Sequence, residues 1–578
     1  MTNLLYYEDN TVEHVNVREM RMDAHNKHAK TKNDPSQLLE KHLTSPSVTT
    51  LLGFAILGAL VYMAFLLRPE YRGDILPYTL VILSETFFIV YALISFWTIL
   101  SGRSNPRHFG YHNAQDQLFG THSKKTIKEI SETAAITSTR RLMYIHQKAI
   151  SVDVFIPVYG EDVNEIEKTA IAAKSLYGKH KTYILDDGKS DEVQTMAKRI
   201  GVEYIRRPTN DHAKAGNINY ALSQTKGTYF VIFDADFVAD PHFLTETIPF
   251  FEDDRMAFVQ TPQFYDNQKN FISTGAGYMQ HVFYALVQVG KNKFNAAFCV
   301  GTNVIFSRKA IEAVGGMYQE SKSEDIWTSL KLHELGYHSV YINKVLAIGK
   351  TPETIKAYSK QQLRWATGSF EIFLYKNPLF NKKLTFDQRI QYLATTAFYF
   401  NGFAIAALLL LPILQIFFNL TPIALDISFI EWLLLYSGFY FTQLLLSMLT
   451  MGGLKYQTLM LSAVSFPIYI KAFFNALRRR DEAWQATNRV GAYDSAFNYI
   501  RTQTYVFIFL LITTIVGIWK SVYTMEFSVS IVWAALNTFV FGFFVLIAFR
   551  ELGQSLKSKK IKKMRKWSRP LVTKEGTL

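Results

Sequence analysis

The 578-residue sequence predicts a doubly wound α/β domain inserted between transmembrane α-helices. Three observations carry that expectation. Apolar residues are bunched into membrane-length runs although mean hydropathy is only +0.04. Between two groups of these runs, short β-branched and aromatic stretches alternate with helical patterns, as in a mostly parallel sheet. Acidic pairs stand directly after several of those stretches, where open α/β sheets bind ligands.

Six stretches approach the ~20 residues that a spanning helix needs: about 48–67, 77–100, 392–418, 430–450, 503–521 and 527–549. An even number puts both termini on one side. The short loops 68–76 and 419–429 hold Arg68, Glu70, Arg72, Asp74 and Asp426, without cationic excess. The tail carries Lys557, Lys559, Lys560, Lys562, Lys563, Arg565, Lys566 and Arg569. By the positive-inside rule, both termini and the central segment lie in the cytoplasm of a plasma (inner) membrane protein. A net charge of +14 alone fits nucleic acid or anionic lipid. Read as a topology signal and a contact with membrane lipids, it requires no nucleic acid.

The organisation that follows begins with a polar cytosolic arm at 1–47, with no removable signal peptide, and a membrane hairpin at 48–100. A cytosolic domain at 101–353 leads into interface helices at 354–391 and a second hairpin at 392–450. An interface helix and loop at 451–502, a third hairpin at 503–549 and a basic cytosolic tail at 550–578 complete it. The single cysteine, Cys299, excludes an internal disulfide framework. A small buried hydrophobe is its plainest meaning.

In the cytosolic domain Val152–Val158, Thr182–Leu185 and Tyr229–Phe233 read as strands, with helical patterns at 161–177 and 212–225. Asp186-Asp187-Gly188 can hold a nucleoside through base and ribose, or make the turn that Asp-Gly favours. Lys214 opens a helix and is placed for a diphosphate, because helix N-termini attract anions; a solvated lysine is the commoner meaning. Asp234-x-Asp236 suits Mg²⁺ or Mn²⁺, held by one or two carboxylates and substrate phosphates. Alone, such a pair often only caps a turn. Ser323-Glu324-Asp325 before Ile326–Leu335 is, by itself, a helix N-cap with an acidic first turn. In a functional reading Asp325 is a general base, kept ionised and only modestly basic by the helix dipole. Gln361, Arg364 and Trp365 share one helix face. Arg364 can neutralise a departing diphosphate and Trp365 can seat a sugar ring, whereas an interfacial Trp–Arg pair is the plainer alternative.

From about Val152 to Gly368 these clusters, in order and spacing, resemble the processive, membrane-embedded family-2 glycosyltransferases, such as the bacterial cellulose synthase catalytic subunit and curdlan-type β-glucan synthases. The resemblance implies a GT-A fold, a UDP-sugar donor and Mg²⁺ or Mn²⁺. It implies nucleotide contacts from Tyr159 and Glu161, beside Gly160 where the family often has Asn, and from Asp186, Asp187 and Lys214. Asp234 and Asp236 match the DxD that carries UDP and metal. Asp325, beside Glu324, matches the base of the TED motif, with Ser323 in place of Thr. Gln361, Arg364 and Trp365 match QxxRW, which binds the diphosphate and the acceptor end of the glucan. Phe298-Cys299-Val300-Gly301 resembles the acceptor-site FFCG segment with its Cys displaced by one position. Trp484-Gln-Ala-Thr487-Asn-Arg489 resembles the FxVTxK gating loop, which makes Thr487 and Arg489 UDP contacts.

These departures bear on cellulose specifically more than on β-glucan synthesis. The short tail after the last span is expected to hold no PilZ domain. The implied activity is inverting, metal-dependent polymerisation of glucose from UDP-glucose into a cellulose-like β-1,4 or curdlan-like β-1,3 glucan, moved across the membrane. Accessory export subunits or a second copy fit as partners. Two rivals share parts of the pattern. A chitin- or hyaluronan-type synthase would use another UDP-sugar, and a non-processive enzyme would glycosylate a lipid carrier.

Overall fold

The computed structural model describes residues 46–102, 105–120, 139–321, 323–423, 429–479, 495–526 and 528–567, with two short strands at Leu4–Glu8 and Thr11–Val15. The α/β part is built on a seven-stranded sheet. Its strands are β1 (Val152–Val158), β2 (His180–Asp186), β3 (Glu203–Ile205), β4 (Tyr229–Ile232), β5 (Met256–Gln260), β6 (Val304–Ser307) and β7 (His338–Tyr341). They lie in the order β7-β5-β6-β4-β1-β2-β3. The three strands read from sequence appear within a residue or two of their expected limits. The sheet is mixed, because β6 runs antiparallel to both β4 and β5.

Alternate residues of these strands face opposite sides of the sheet. Val154, Ile156, Val231 and Phe233 enter one apolar cluster, while Phe155, Leu185, Phe230 and Phe306 enter the other. Burial on both faces explains why β1 is nearly continuously apolar. It also places the carboxyl ends of β1, β2 and β4, followed by Tyr159, Asp186-Asp187 and Asp234, along one rim.

Among the described residues, five helices are long and apolar enough to cross a membrane: α1 (Pro46–Leu66), α2 (Ile75–Ser101), α6 (Phe386–Phe418), α10 (Arg501–Thr524) and the Val529–Gln554 part of α11 (Val529–Trp567). The expected span at 430–450 is helix α7 (Phe429–Met451), whose apolar stretch is Gly438–Leu449. The expected interface helix past 451 is two helices, α8 (Tyr456–Val464) and α9 (Phe466–Leu477), bent by 42°. The bend has a local cause. Pro467 opens α9 without an N–H to continue the ladder, and Ser465 turns its hydroxyl back onto Leu461 O at 2.6 Å. As a pair, α8 and α9 are apolar enough to make a sixth span.

Helices α1 and α7 cross at two glycines, and a Cβ added to Gly58 would lie 2.6 Å from Gly438 O. Gly58→Val should therefore destabilise this contact by about 1–3 kcal/mol, the usual cost of overpacking. A lowered thermal midpoint in detergent checks this, and an unchanged midpoint would exclude so close a crossing.

Candidate active site

The site is assembled from strand ends on one side and two helix faces on the other. After β1, Gly160 adopts φ +85°, and Glu161 accepts a hydrogen bond from the Tyr159 N–H at 2.5 Å. Burial pushes the Glu161 carboxyl up, with Asp234 and Asp186 adding to the effect. After β2 the two aspartates diverge. Asp186 accepts from Ser190 N–H at 2.7 Å and from the Tyr204 hydroxyl at 2.6 Å through one oxygen. Its other oxygen, Oδ1, is buried and has no hydrogen-bond partner among the described residues. It faces the gap between Gly188 and Gly160, where an added Cβ would stand 3.1 Å away.

Asp187, expected to contact the nucleotide, has a partner within the protein. Both of its oxygens are held by Arg207, at 2.6 and 2.7 Å. Sequence reasoning passed over this arginine, because Arg206-Arg207 after a strand looks like surface charge.

Helix α3 (Ala213–Gln224) starts with Lys214 in its first turn. The ammonium donates to Asp234 Oδ1 and, at 2.7 Å, to Gly301 O. Burial alone would lower this ammonium, but Asp234 and Glu324 outweigh it and raise it. The Asp234 N–H is fixed by Thr302 Oγ1 at 2.8 Å. Asp236 is pushed up to about 7 by burial, by Asp234 and further by Glu161. Such crowded carboxyls are what a divalent cation relieves, so the DxD pair fits Mg²⁺ or Mn²⁺. Among the described residues no three His, Cys, Asp or Glu side chains form a ready cage. The donor set therefore suits a cation completed by substrate oxygens.

Helix α4 (Glu324–Glu334) brings the second acidic pair to the same place. Glu324 is pushed up to about 7 by burial and by Asp325, against the pull of Lys214 and Arg364. Asp325 is also raised by burial, although the Ile326 N–H and the charges of Arg364 and Lys214 oppose this. The expectation that the helix dipole governs Asp325 is corrected here. Desolvation is larger, and it makes the carboxylate a stronger base than a helix N-terminus alone would. Ser323 occupies the cap position without a side-chain cap bond. Its Oγ is instead pressed against Gly368, where an added Cβ would overlap it at 2.0 Å.

Gly368 belongs to α5 (Ile355–Tyr375), the helix that carries Gln361, Arg364 and Trp365. Arg364 is close enough to act on both Glu324 and Asp325. Gln361 Oε1 is buried with no partner among the described residues, and Trp365 is half-buried.

The segment expected to meet the acceptor, residues 298–301, comes close to these groups. Phe298 packs against Phe283 with ring centroids 5.7 Å apart and joins Ile326 and Trp327 of α4 in one cluster. Gly301, at φ +87°, would bring a Cβ within 3.3 Å of Asp325 Oδ2 and 3.6 Å of Lys214 Nζ. Cys299, expected beside the acceptor, turns its thiol into the sheet core at 0% exposure. There it accepts from Gly301 N–H at 3.3 Å, and burial pushes the thiol up. Its plain meaning as a small hydrophobe is the one the structure supports. Thr487 and Arg489 of the gating-like loop lie outside the described residues.

Residues 229–451, which include DxD, Glu324-Asp325 and QxxRW, match the family model Glycosyl transferase family group 2. The chain is 36% identical over 278 residues to the UDP-forming cellulose synthase catalytic subunit of Pseudomonas fluorescens (strain SBW25), covering 46% of this chain and 38% of that one. It is 38% identical over 260 residues to cellulose synthase 1 of Komagataeibacter xylinus, covering 43% of this chain and 17% of that one. The alignments thus span well under half the length of these relatives. A solved mannosyltransferase from Pyrobaculum calidifontis, in complex with GDP-Man and Mn²⁺, is 16% identical at a TM-score of 0.44, covering 64% of this chain and 96% of that one. The match to a family-2 glycosyltransferase model thus falls on the part of the chain that holds these acidic and QxxRW motifs, and helices apolar enough to cross a membrane flank the α/β sheet.

Proposed function

We propose that the protein is a processive, inverting glycosyltransferase that polymerises glucose from UDP-glucose into a β-glucan. Its termini and catalytic domain face the cytoplasm, and the polymer leaves through the membrane helices. One observation carries the reading: Lys214, paired with Asp234, meets Asp325 at Gly301, and Arg364 acts on Asp325 from α5, the helix that packs directly on apolar α9.

In this reading Asp325 takes the proton of an acceptor hydroxyl, whose oxygen bonds to the anomeric carbon of the donor. The carbon–oxygen bond to UDP breaks as the electron pair leaves with the diphosphate. Lys214 and Arg364 compensate the charge that gathers there, a contribution of several kcal/mol in a desolvated site. A divalent cation held by Asp234 and Asp236 would screen the same diphosphate. Attack on the face opposite the leaving group turns an α-linked donor into a β-linked product. Asp186 Oδ1, aimed at the gap between Gly160 and Gly188, is placed for an N–H of the base. Where α5, α6 and α9 meet, Phe370, Tyr399, Phe400, Tyr469 and Phe473 form an aromatic cluster that ties the motif-bearing helix to the apolar helices.

The purified protein in nanodiscs, given Mg²⁺ or Mn²⁺ and each radiolabelled UDP-sugar in turn, should make high-molecular-weight, β-glucanase-sensitive product from UDP-glucose. Asp325→Asn should lower that rate by about 10²–10⁴-fold, the usual worth of a general base, while UDP still binds. Polymer from UDP-GlcNAc only would reassign the donor, and a lipid-extractable monosaccharide alone would sink the processive claim.

The pH profile offers a separate check. A base works deprotonated, and burial raises Asp325, so the rate should fall as acid protonates it, at a pH above the ordinary carboxylate range. Arg364→Gln removes a positive neighbour that opposes the effect of burial on Asp325, so Asp325 should ionise only at higher pH and the acid limb of the remaining activity should move up. A limb that stays in place, or moves down, would remove Asp325 from this role.

A further inference from the structure

The loop that delivers Lys214 holds an unusual backbone. His212 and Ala213, neither of them glycine, are consecutive residues in the left-handed region, at φ +58° and +44°. L side chains visit that region rarely and seldom in succession. Lys214 follows immediately, so this bend decides where its ammonium arrives.

Four hydrogen bonds from one buried side chain surround the bend. The Arg207 guanidinium is 6% exposed. Nη1 donates to Asp211 O at 2.6 Å, before the bend, and Nη2 to Ala213 O at 2.9 Å, within it. Nε and Nη2 grip Asp187 at 2.6 and 2.7 Å. Gly216 leaves the room this needs, since a Cβ there would lie 2.2 Å from Asp211 O and 2.6 Å from Arg207 Nη1. A lysine could keep the charge pairing with Asp187, but its single ammonium cannot reproduce the planar fork that reaches two carbonyls as well.

We propose that Arg207 is a positioning residue, which latches the left-handed His212–Ala213 bend to Asp187 and so sets Lys214 against the donor's diphosphate. This rests on the nucleotide-binding reading above. Asp187, in consequence, serves the nucleotide through Arg207 and the lysine arm. The latch joins the strand that ends beside the base pocket to the group that meets the phosphates, so the two ends of a nucleoside diphosphate are held at one spacing.

The test is a double-mutant cycle on UDP binding to the full-length protein in detergent, measured by calorimetry for wild type, Arg207→Lys, Lys214→Met and the double variant. Arg207→Lys should weaken UDP by about tenfold, with at most about a twofold further loss in the Lys214→Met background, as expected for residues acting through one another. Equal losses in both backgrounds, or wild-type binding by Arg207→Lys, would overturn the proposal. Ala213→Val provides a second route that leaves the Arg207–Asp187 pair intact, because a β-branched residue resists positive φ. It should also weaken UDP, and wild-type affinity there would count against the latch. Adding Ala213→Gly to Arg207→Lys should recover part of the loss, since glycine takes positive φ without strain; no recovery in a folded protein argues against the bend as the intermediary. Wild-type protein that binds no UDP would overturn the nucleotide reading itself, and this proposal with it.

Discussion

Much of this molecule is organised around the Lys214 ammonium, a buried cation shared between the Asp234 carboxylate and the Gly301 carbonyl. A charge in such a place is tolerated only when paired and hydrogen-bonded. Meeting that condition brings together three pieces remote in sequence: the end of β4, the start of α3 and the loop before β6. Glu324, from a fourth piece, adds to the field that keeps the lysine charged. In return, Lys214 and Arg364 restrain how far burial can raise the acidic pair. The charges are therefore interdependent, and each sets the protonation of the others.

The same economy joins the seven-stranded sheet to the apolar helices. Helix α4 starts at the acidic pair, and at its far end His333 lies 2.8 Å from the Tyr392 hydroxyl, in the first part of α6. Lys291, whose ammonium lies 5.8 Å from the Phe298 ring centroid, donates to Gln391 O at 2.7 Å, and Gln391 in turn donates to Thr98 of α2 at 2.8 Å. The Ile355 N–H at the start of α5 is met by Glu551 of α11 at 3.0 Å. These polar contacts fix the carboxylates relative to the helix bundle through specific bonds as well as apolar packing.

Much of this was legible in the amino-acid sequence, for identifiable reasons. Val152–Val158 and Tyr229–Phe233 are buried on both faces, so their composition betrays them. Membrane-length runs do the same for α1, α2 and α10. The acidic motifs stand out because carboxylates directly after apolar strands are costly without a purpose. Part of what escaped depends on partners far away in the chain, and part on local backbone and hydrogen-bond choices. The antiparallel insertion of Val304–Ser307 between β4 and β5 is a pairing choice that no local pattern records. Arg207 looked like surface charge until its four acceptors were in view. The basicity of Asp325 depends on how deeply α4 is covered, and that burial outweighs the dipole visible in the sequence. The bend at Ser465 was hidden because α8 and α9 are apolar on both sides of it.

The contact between Ser323 and Gly368 has a consequence of another kind. With no room for even one carbon on Gly368, residue 368 is bound to the size of residue 323. The family resemblance has threonine where this chain has serine, one methyl group more. Positions 323 and 368 should thus drift together among relatives: a bulkier residue at one demands either a glycine or a wider helix spacing at the other. Anyone grafting the acidic motif of one synthase onto the membrane helices of another would have to move the two positions as a single unit.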